Sequence, residues 1–340
     1  MKKLFIALLL LLPVLTYAQG KKYALYSVAF YNLENMFDTI HDVGKNDYEY
    51  LPDGRAKWDS MKYKAKLKNM STILGMLATD KLPMGPTIIG VSEVENRRVL
   101  EDLLKQPALA DRGYKIIHYE GPDKRGIDCA FFYNPKQFHL NHAKLAPYVY
   151  LNDTVHKTRG FLIADGYLAD EHVDFIVNHW PSRGAPSSAR ERAGEQVRVL
   201  KDSLLSEDPN AKIIIMGDMN DDPMDKSMSV SLGAKREKSE VGAHDLYNPW
   251  WNLLVKKGVG SLEYRGKWNL FDQIVFTGNL LGSDRSTLKF YKNEVFMRDF
   301  MFQQEGRYKG YPKRTQAGGV WLNGYSDHLP TLIYLIKEVH

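Results

Sequence analysis

Short apolar runs rich in β-branched and aromatic residues recur along the chain. Runs of this kind, here five to nine residues long, are typical of β-strands. They cover residues 23–31, 87–92, 114–119, 128–133, 161–168, 173–179, 212–216, 272–276 and 331–336. The hydrophobic pattern therefore predicts a protein built mainly on β-sheet.

Three longer stretches instead place apolar residues at helical spacing, after Trp58, after Asn96 and after Ser188. Asn96 is predicted to cap the second helix, and Ser188 with Glu191 fits a capping box at the start of the third. Each apolar stripe is expected to face a sheet. The stripes comprise Met70, Ile73, Leu74 and Leu77; Val99, Leu100, Leu103 and Leu104; and Val197, Leu200 and Leu204.

The order of these elements predicts an α+β protein with a single domain over residues 19–340. No linker rich in Pro, Ser or Gly, no low-complexity tract and no internal repeat divides this part of the sequence. Strands outnumber helices, and neighbouring strands often follow one another without a helix between them. This arrangement favours packed mixed β-sheets flanked by helices over a doubly wound parallel sheet.

Residues 1–18 are expected to be a signal peptide rather than part of the fold. Lys2 and Lys3 give a positive start, residues 4–15 are apolar, and a small-residue cleavage site ends at Ala18. The apolar segment is too short to span a bilayer, and no cysteine follows the cleavage site to carry a lipid. We therefore expect a secreted or periplasmic protein.

Charge and cysteine content change this picture only slightly. The formal net charge is +5, and removal of the two lysines of the predicted signal peptide leaves +3. Such a balance is compatible with a polyanionic substrate but does not require one. Cys129 is the only cysteine, so an intramolecular disulfide is excluded, and its apolar neighbours predict a buried hydrophobic role.

Polar clusters that can carry chemistry lie at the ends of predicted strands. SEVEN begins at Ser92, NHWPSR at Asn178, GDMNDDP at Gly217 and YSDHLP at Tyr325. If these strands end at one rim of a sheet, the clusters form a single acidic pocket flanked by histidines. Its oxygen ligands suit Mg²⁺ or Mn²⁺, with Ca²⁺ as a further candidate, rather than zinc. The side chains expected there are Glu93, His179, Asp218, Asn220, Asp327 and His328.

Asp218 and Asn220 follow the apolar run KIIIM, so an extended backbone points both side chains to the same face. Together they can hold a water or a metal-bound phosphate oxygen, and the amide polarises the phosphoryl group without adding negative charge. An Asx-turn is the structural alternative for this sequence. Glu93 is the expected metal ligand of its cluster, with Glu95 as the rival.

The NHWPSR cluster supplies candidate phosphate contacts. His179 can donate to a phosphate oxygen as an imidazolium, and Arg183 can make a charge-assisted contact to the same anion. Asn178 is grouped with Arg183 as a candidate phosphate contact. A structural role is the alternative for a single histidine at this position.

Two further acids are candidates for orienting the histidines. Asp272 begins a strand, and if it accepts a hydrogen bond from His328 it raises the basicity of that ring, which then suits a general base near neutral pH. Asp128 is a candidate for the same role toward His179. Simple turn chemistry is the alternative for the Asp327-His328 pair.

Taken together, the clusters resemble the motifs of the endonuclease/exonuclease/phosphatase superfamily over nearly all of the chain that follows the predicted signal peptide. FYNLENMF resembles the first motif, SEVE the metal-binding glutamate motif and NHWPSR the histidine motif; GDMN, FDQIVF and SDH resemble the later motifs. The resemblance implies a four-layer α/β sandwich, with two packed mixed β-sheets and helices outside.

The resemblance also implies a role for each matching residue. It assigns metal binding to Glu93, with Asn32, Glu34 and Asp327 near the ion. It assigns phosphate contact to Asn220 and His179, and it gives Asp218 the task of positioning or deprotonating the water. His328, held by Asp272, completes a hydrolytic dyad or binds a phosphoryl oxygen. The general base stays open between Asp218 and His328.

The sequence thus predicts a metal-dependent phosphodiesterase, and in particular a nuclease that acts on DNA or RNA and needs no obligate protein partner. Residues 307–315, RYKGYPKRT, interleave cations with tyrosines, as in loops that follow phosphates and stack on bases; a solvated loop is the alternative. A phosphomonoesterase or a sphingomyelinase-type phospholipase would use the same metal site, with residues 318–322 as the candidate lipid-contacting finger. A non-catalytic protein that binds phosphate ligands is a third class, which the intact acids, amide and histidines disfavour.

Overall fold

The computed structural model describes residues 21–151, 153 and 155–339. The predicted signal peptide and its cleavage site lie outside these residues. None of the helices in the described part has the length and hydropathy that a membrane crossing requires.

Two large mixed β-sheets form the centre of the molecule, as the sequence predicts. The first contains, in spatial order, β14 (Lys289–Val295), β17 (Thr331–Val339), β1 (Lys22–Met36), β2 (Ile88–Val94), β4 (Asp128–Tyr133) and β3 (Lys115–His118). The second contains β5 (Phe138–Ala146), β6 (Phe161–Leu168), β7 (Glu171–His179), β8 (Lys212–Asp218), β13 (Asp272–Thr277), β10 (Leu246–Tyr247) and β9 (Ala234–Lys235). β1 pairs parallel with β2 and β7 parallel with β8, whereas the pairs that flank them are antiparallel.

The two sheets pack face to face across a shared apolar core. Alternate residues of a strand point to the same face, so Val28 and Phe30 of β1 belong to one buried cluster with Val177 of β7 and Met216 of β8. A Cβ atom at Gly90 would lie only 2.5 Å from Sδ of Met216. Gly90 therefore leaves room for the side chains of Met216 and Val177 from the facing sheet, and a larger residue there would force them to shift.

Helices cover the outer face of each sheet and complete four layers. α1 (Ser60–Met76) and α2 (Arg97–Leu104) share a buried cluster with the outer face of the first sheet, and α3 (Ser187–Glu207) does so with the second. The apolar stripes predicted from the sequence are the residues that make these contacts. The structure thus has the predicted layered architecture.

The start of α2 agrees with its predicted cap, whereas the start of α3 does not. Oδ1 of Asn96 accepts a hydrogen bond from the backbone N–H of Val99 at 3.1 Å. α3 begins two residues earlier than the capping box requires, with the extended Pro186 as its N-cap and no capping side chain. The capping box predicted from Ser188 and Glu191 is therefore wrong, because Ser188 already lies inside the first helical turn.

The shorter elements lie in the long connections between motifs. They are α4 (Trp251–Lys257), a π-helical turn at Ser227–Leu232, and two hairpins formed by β11 (Leu262–Tyr264) with β12 (Lys267–Asn269) and by β15 (Gln316–Ala317) with β16 (Val320–Trp321). Both hairpins contribute residues to the groove described below.

The sheet topology brings the predicted clusters to one rim. Asn32 of β1 pairs with Ser92 of β2, and His179 of β7 pairs with Asp218 of β8, so the parallel strands end at the same level. Asp272 pairs with Asp218, which places the start of the antiparallel β13 at that rim as well. This rim therefore contains the ends of the parallel strands and the start of β13.

Candidate active site

Residues from four distant clusters line one cleft at this rim. Nδ2 of Asn32 lies 3.0 Å from Oδ2 of Asp218 and 3.4 Å from Oε1 of Glu93, which links the first sheet to the second. The cleft has a volume of about 400 Å³. Its lining residues are Glu93, Arg125, Arg159, His179, Ser182, Asp218, Asn220 and His328. The convergence predicted from the sequence is thus present.

An unusual backbone conformation directs two of these side chains into the cleft. Glu93 has a φ of +59° and lies at a register shift where β2 pairs with both β1 and β4. Asn220 has a φ of +52° just beyond the end of β8. Residues other than glycine rarely adopt such angles, and a bulge redirects a side chain that simple alternation would send elsewhere. The strain at both positions coincides with side chains that face the cleft.

Asp218 is the carboxylate at the centre of the site. It is buried, its Oδ1 accepts the backbone N–H of Asn220 at 3.0 Å, and its Oδ2 lies 3.7 Å from Nε2 of His179 and 3.8 Å from Nε2 of His328. Burial raises the pKa of Asp218 to about 7; the positive charge of His328 opposes this shift and the negative charge of Asp272 adds to it. A carboxylate with this pKa can accept a proton near neutral pH.

His328 forms the dyad that the sequence suggests. Its Nδ1 lies 2.7 Å from Oδ2 of Asp272, and both side chains are buried. Ser261 donates to the same carboxylate oxygen at 2.5 Å. Burial alone would lower the pKa of His328, but the carboxylates of Asp272 and Asp218 raise it well above the ordinary value. His328 is therefore held as an imidazolium whose Nε2 faces the cleft.

His179 faces the same carboxylates from the other side. Its Nε2 lies 3.8 Å from Oε1 of Glu93, and its buried Nδ1 has no hydrogen-bond partner among the residues that the structure describes. Burial lowers the pKa of His179 well below the ordinary value, and the charges of Arg159 and Arg125 lower it further. The ring is thus neutral where the sequence expects a cation.

Asp128 does not take the orienting role suggested for it. Its Oδ1 accepts the backbone N–H of Gly121 at 3.0 Å, and its Oδ2 lies 3.3 Å from Nε2 of His118. The carboxylate therefore secures the segment that enters β4, because a partner on the neighbouring strand β3 is closer than His179.

Asn178 and Arg183 also point elsewhere than the sequence suggests. Asn178 is fully buried and donates to the carbonyl of Met216 at 3.1 Å, so it joins β7 to β8 rather than facing a phosphate. Nη2 of Arg183 lies 2.8 Å from Oδ2 of Asp225, and its guanidinium stacks 4.4 Å from the ring of Phe271. The guanidinium of Arg183 also lies within hydrogen-bond distance of Asp221 and Asp222, so three acids of the loop after β8 attract it. It donates to the carbonyl of Asn220 at 3.1 Å as well.

Glu34 and Asp327 both pair with the guanidinium of Arg314. Nε of Arg314 lies 3.0 Å from Oε1 of Glu34, and its Nη2 lies 2.7 Å from Oδ2 of Asp327. Glu34 also accepts the backbone N–H of Thr315 at 2.7 Å. Oδ1 of Asp327 remains 3.9 Å from Nε2 of His328. Asp327 thus borders the catalytic cleft, whereas Glu34 is directed toward Arg314 and the segment at Thr315.

The sequence interpretation missed the two arginines of the cleft. Arg159 is largely buried and donates to Asp123 and to the carbonyl of Trp180, each at 3.1 Å, while its Nε has no partner within the described part of the chain. Arg125 lines the same wall. Arg159 precedes β6 and Arg125 precedes β4, and these strands start at the rim where their antiparallel neighbours β7 and β2 end. A search of strand starts as well as strand ends would have found them.

The donor set at the cleft fits a divalent cation. The carboxylates of Glu93 and Asp218 approach the same amide nitrogen of Asn32, so two negative groups share a small buried space. Such a pair is stabilised by a positive charge between or beside the groups. Glu93 is the residue best placed to hold the ion, with Asp327 at the edge of the cleft. Asn32 directs its N–H₂ at both carboxylates and therefore positions them. When bound, the ion would polarise a phosphoryl oxygen as a Lewis acid.

A larger groove adjoins the catalytic cleft. It has a volume of about 1220 Å³ and shares Asn220, Asp327 and His328 with the catalytic rim. Its walls come from the β11–β12 hairpin, from residues 303–314 and from the β15–β16 hairpin. The segment RYKGYPKRT thus lies against the site, and it contributes Arg314 to the catalytic rim.

A model of the Endonuclease/Exonuclease/phosphatase family matches residues 27–337. The chain belongs to this family. The match extends from β1 to β17 and includes every residue that lines the catalytic cleft. No curated protein matches the chain significantly.

Solved structures show the same fold at low sequence identity. TDP2 of D. rerio, solved in complex with a single-strand DNA product, is 14% identical, with a TM-score of 0.54 over 92% of this chain and 99% of that one. A mannosyl-6-phosphatase of Bacteroides thetaiotaomicron is 16% identical, with a TM-score of 0.56 over 91% and 99%. ANGEL2, a 2',3'-cyclic phosphatase, is 13% identical, with a TM-score of 0.57 over 94% and 100%.

Family membership and the geometry of the cleft agree on the reaction type. This endonuclease/exonuclease/phosphatase protein is a metal-dependent phosphoric ester hydrolase with an α/β-sandwich fold. The three neighbours named above differ in the molecules that their names describe, so the fold does not identify the substrate.

Proposed function

We propose that the protein is a nuclease that hydrolyses phosphodiester bonds in DNA or RNA with Mg²⁺ or Mn²⁺. The observation that carries this proposal is the large groove beside the catalytic cleft, because it offers aromatic faces and cations next to the residues that act on phosphorus. Polynucleotides need such a surface, since their bases stack on aromatic rings while their phosphates contact Arg and Lys.

Two cation–aromatic pairs characterise the groove. The guanidinium of Arg265 lies 5.1 Å from the ring of Tyr264, and that of Arg307 lies 5.6 Å from the ring of Tyr308. Tyr264 and Tyr308 are both more than half exposed. Exposed rings of this kind can stack on bases, and the neighbouring guanidinium groups can contact the phosphates that connect them.

The catalytic groups suit attack by water on phosphorus. Asp218 accepts a proton from the attacking water as the water oxygen forms a bond to phosphorus. The bond from phosphorus to the leaving oxygen breaks, and that oxygen takes a proton from solvent. The His328 imidazolium donates to a phosphoryl oxygen and stabilises the negative charge that develops there. Asn220 lines the cleft and donates one amide N–H to the carbonyl of Trp180 at 3.0 Å, and its second amide N–H donates to the same phosphoryl group without adding charge. This division of roles makes Asp218, rather than His328, the general base.

One of the structural neighbours supports a nucleic acid as substrate. TDP2 of D. rerio was solved with a single-strand DNA product, which shows that a protein of this fold accommodates a DNA strand. The proposal for this chain rests on its own groove, because the two sequences share only 14% identity.

The candidate lipid finger offers little apolar surface. Trp321 packs with its ring 5.7 Å from that of Trp58, which leaves Val320 as the exposed apolar residue of the β15–β16 hairpin. A surface that inserts into a membrane needs a larger patch of exposed apolar side chains. This observation favours a polynucleotide over a phospholipid.

The substrate panel that tests the proposal contains single-stranded DNA, plasmid DNA, RNA, sphingomyelin and a set of sugar and nucleoside phosphomonoesters, each with Mg²⁺ and with Mn²⁺. We expect cleavage of at least one polynucleotide, with a kcat/KM above that for any monoester. Hydrolysis of only the lipid or only monoesters would contradict the nuclease proposal while leaving phosphoester hydrolysis intact.

We place the protein outside the cytoplasm, on the basis of the predicted signal peptide. The test is cell fractionation with sequencing of the mature amino terminus. A chain that begins at Gln19 in the periplasmic or extracellular fraction is expected, and an intact amino terminus in the cytoplasm would contradict the proposal.

A further inference from the structure

A second group of metal-ligating side chains lies on the outer face of the second sheet, away from the catalytic cleft. Asp165 of β6 pairs directly with Asp174 of β7, and His172 lies two residues before Asp174, so all three side chains point to the same face. One ligand atom from each residue lies within 4.8 Å of the others. Asp174 lies five positions before His179 along β7, a separation of roughly 17 Å.

The histidine of this group has a carboxylate at each ring nitrogen. Nε2 of His172 lies 2.5 Å from Oδ1 of Asp165, and Nδ1 lies 2.8 Å from Oδ2 of Asp208, which follows α3. When a carboxylate accepts the proton on one ring nitrogen, the other nitrogen is directed at its partner. Asp208 thus orients Nε2 toward Asp165 and Asp174.

The buried, unpartnered carboxylate of Asp174 points to a missing ligand. Asp174 is 1% exposed, and neither of its carboxylate oxygens has a hydrogen-bond partner within the described part of the chain. Its nearest charged atom, Nε2 of His172, lies 3.9 Å away. A buried carboxylate without partners is strongly destabilising, so such groups are normally paired or bound to a metal.

The charged groups around Asp174 increase the electrostatic cost of leaving its carboxylate without a partner. Burial raises the pKa of Asp174 to about 6; His172 opposes the shift, whereas Asp165, Glu207 and Asp208 add to it. The charged neighbours of Asp174 thus comprise three carboxylates and only one imidazole. A divalent cation is the ligand that neutralises this excess of negative charge and gives Asp174 a partner.

We propose that Nε2 of His172 and the carboxylates of Asp165 and Asp174 form a second divalent-metal site, distinct from the catalytic one, that binds a borderline transition ion of the zinc type. A nitrogen donor together with two carboxylates suits such ions better than Mg²⁺ or Ca²⁺, which prefer all-oxygen sites. The ion replaces the proton on Nε2, while the N–H at Nδ1 continues to donate to Asp208. His172 and Asp165 are about one quarter exposed, so the ion can enter from solvent.

The site joins strands β6 and β7 of the second sheet to the end of helix α3, which packs on that sheet. Asp165 belongs to β6, His172 and Asp174 to β7, and the orienting Asp208 follows the last turn of α3. A bound ion therefore ties the helix end to the sheet. The inference does not rest on the nuclease proposal, because no residue of this site lines the catalytic cleft.

The experiment measures binding of Zn²⁺ alone to the full mature protein after removal of metals with a chelator. Isothermal titration and elemental analysis are applied to the wild type, to Asp174→Asn and, as a matched control on α3, to Asp202→Asn, whose carboxylate pairs with Lys201 instead. We expect Asp174→Asn to bind one equivalent of Zn²⁺ fewer than the other two proteins. It should also lose the increase in melting temperature that Zn²⁺ gives the wild type.

A second variant separates metal binding from effects on folding. Asp208 is about one third exposed, so Asp208→Asn leaves the core intact, and it should weaken Zn²⁺ binding by about 10- to 100-fold. Equal numbers of bound ions and equal affinities in the wild type and both variants would overturn the inference; His172 would then be a protonated bridge between Asp165 and Asp208.

Discussion

Oδ2 of Asp272 lies 2.7 Å from Nδ1 of His328, and both residues are buried at the rim where β13 starts. The contact holds the ring in one orientation and keeps it protonated, so that Nε2 can donate toward the catalytic cleft. In Asp272→Asn we expect kcat to fall by about 10²-fold or more, because the imidazolium loses both its orientation and its counter-charge.

The same variant has a predicted pH dependence. Asp272 raises the pKa of His328, so its removal lowers that pKa. The imidazolium is then lost at a lower pH, and the alkaline limb of the kcat profile moves to lower pH. An alkaline limb that stays in place while the acidic limb moves to lower pH would show that His328 acts as the base rather than as the donor.

Asp218→Asn tests the proposed general base against a nearby acid. We expect a loss of about 10²- to 10⁴-fold in kcat, since the amide cannot accept the proton of water. Asp225→Asn is the matched control from the same loop, because its carboxylate binds Arg183 and not the cleft. Initial rates on a polynucleotide and on a small phosphodiester compare the two variants, and similar losses in both would contradict the assignment.

Tyr308→Ala tests the groove. Loss of a stacking ring is expected to raise KM for an oligonucleotide by about tenfold, in line with roughly 1–3 kcal/mol for each stacked base. The KM for a small phosphodiester should not change, because that substrate does not reach the groove. Tyr291→Ala is the control, since Tyr291 is about equally exposed but lies on the edge strand β14, away from the groove. If both variants behave alike on the oligonucleotide, the groove does not bind the strand.

Most of the fold could be predicted from the sequence because buried strands carry continuous apolar runs. The two longest of the strands missed, β5 and β14, lie at the edges of their sheets and expose polar residues such as those of HLNHAKL and YKNE. An edge strand has a partner on one side only, so its pattern is close to that of a loop.

The candidate site could be predicted where a polar side chain lies at a strand terminus or close to one, as at Glu93, Asp218 and His328. Long or buried polar side chains were misjudged, because their direction depends on neighbours from distant parts of the chain. Arg183 turns to the acids of the loop after β8, and Asn178 is used between strands. Arg125 and Arg159 were missed because their long side chains reach the cleft from the segments before β4 and β6, outside the apolar runs that mark those strands.

Glu294 on the missed strand β14 gives a stability test that is independent of the catalytic site. It accepts hydrogen bonds from Lys292 at 2.7 Å and from Tyr334 at 2.8 Å. Burial alone would raise its pKa, but these two bonds lower it below the ordinary value of 4.5. A lowered pKa means that the charged form stabilises the fold above pH 4.5, and that this contribution is lost as the pH falls through the lowered value.

We therefore expect Glu294→Gln to reduce the free energy of unfolding by about 1 kcal/mol at pH 7, and by less as the medium becomes acidic. Denaturant unfolding at several pH values measures this difference. Glu338→Gln is the control, because its partner Lys21 is largely exposed and such surface pairs contribute little. A difference that grows in acid would contradict the assigned direction of the pKa shift.

The most direct test of the account is the metal dependence of phosphodiester hydrolysis by the wild type and by Glu93→Gln, because Glu93 is the proposed principal ligand of the catalytic ion. We expect that a chelator abolishes wild-type hydrolysis, that Mg²⁺ or Mn²⁺ restores it, and that Glu93→Gln loses at least about 10²-fold in rate and needs more metal for half-maximal activity. Undiminished hydrolysis by Glu93→Gln, or by the wild type in the presence of the chelator, would contradict it.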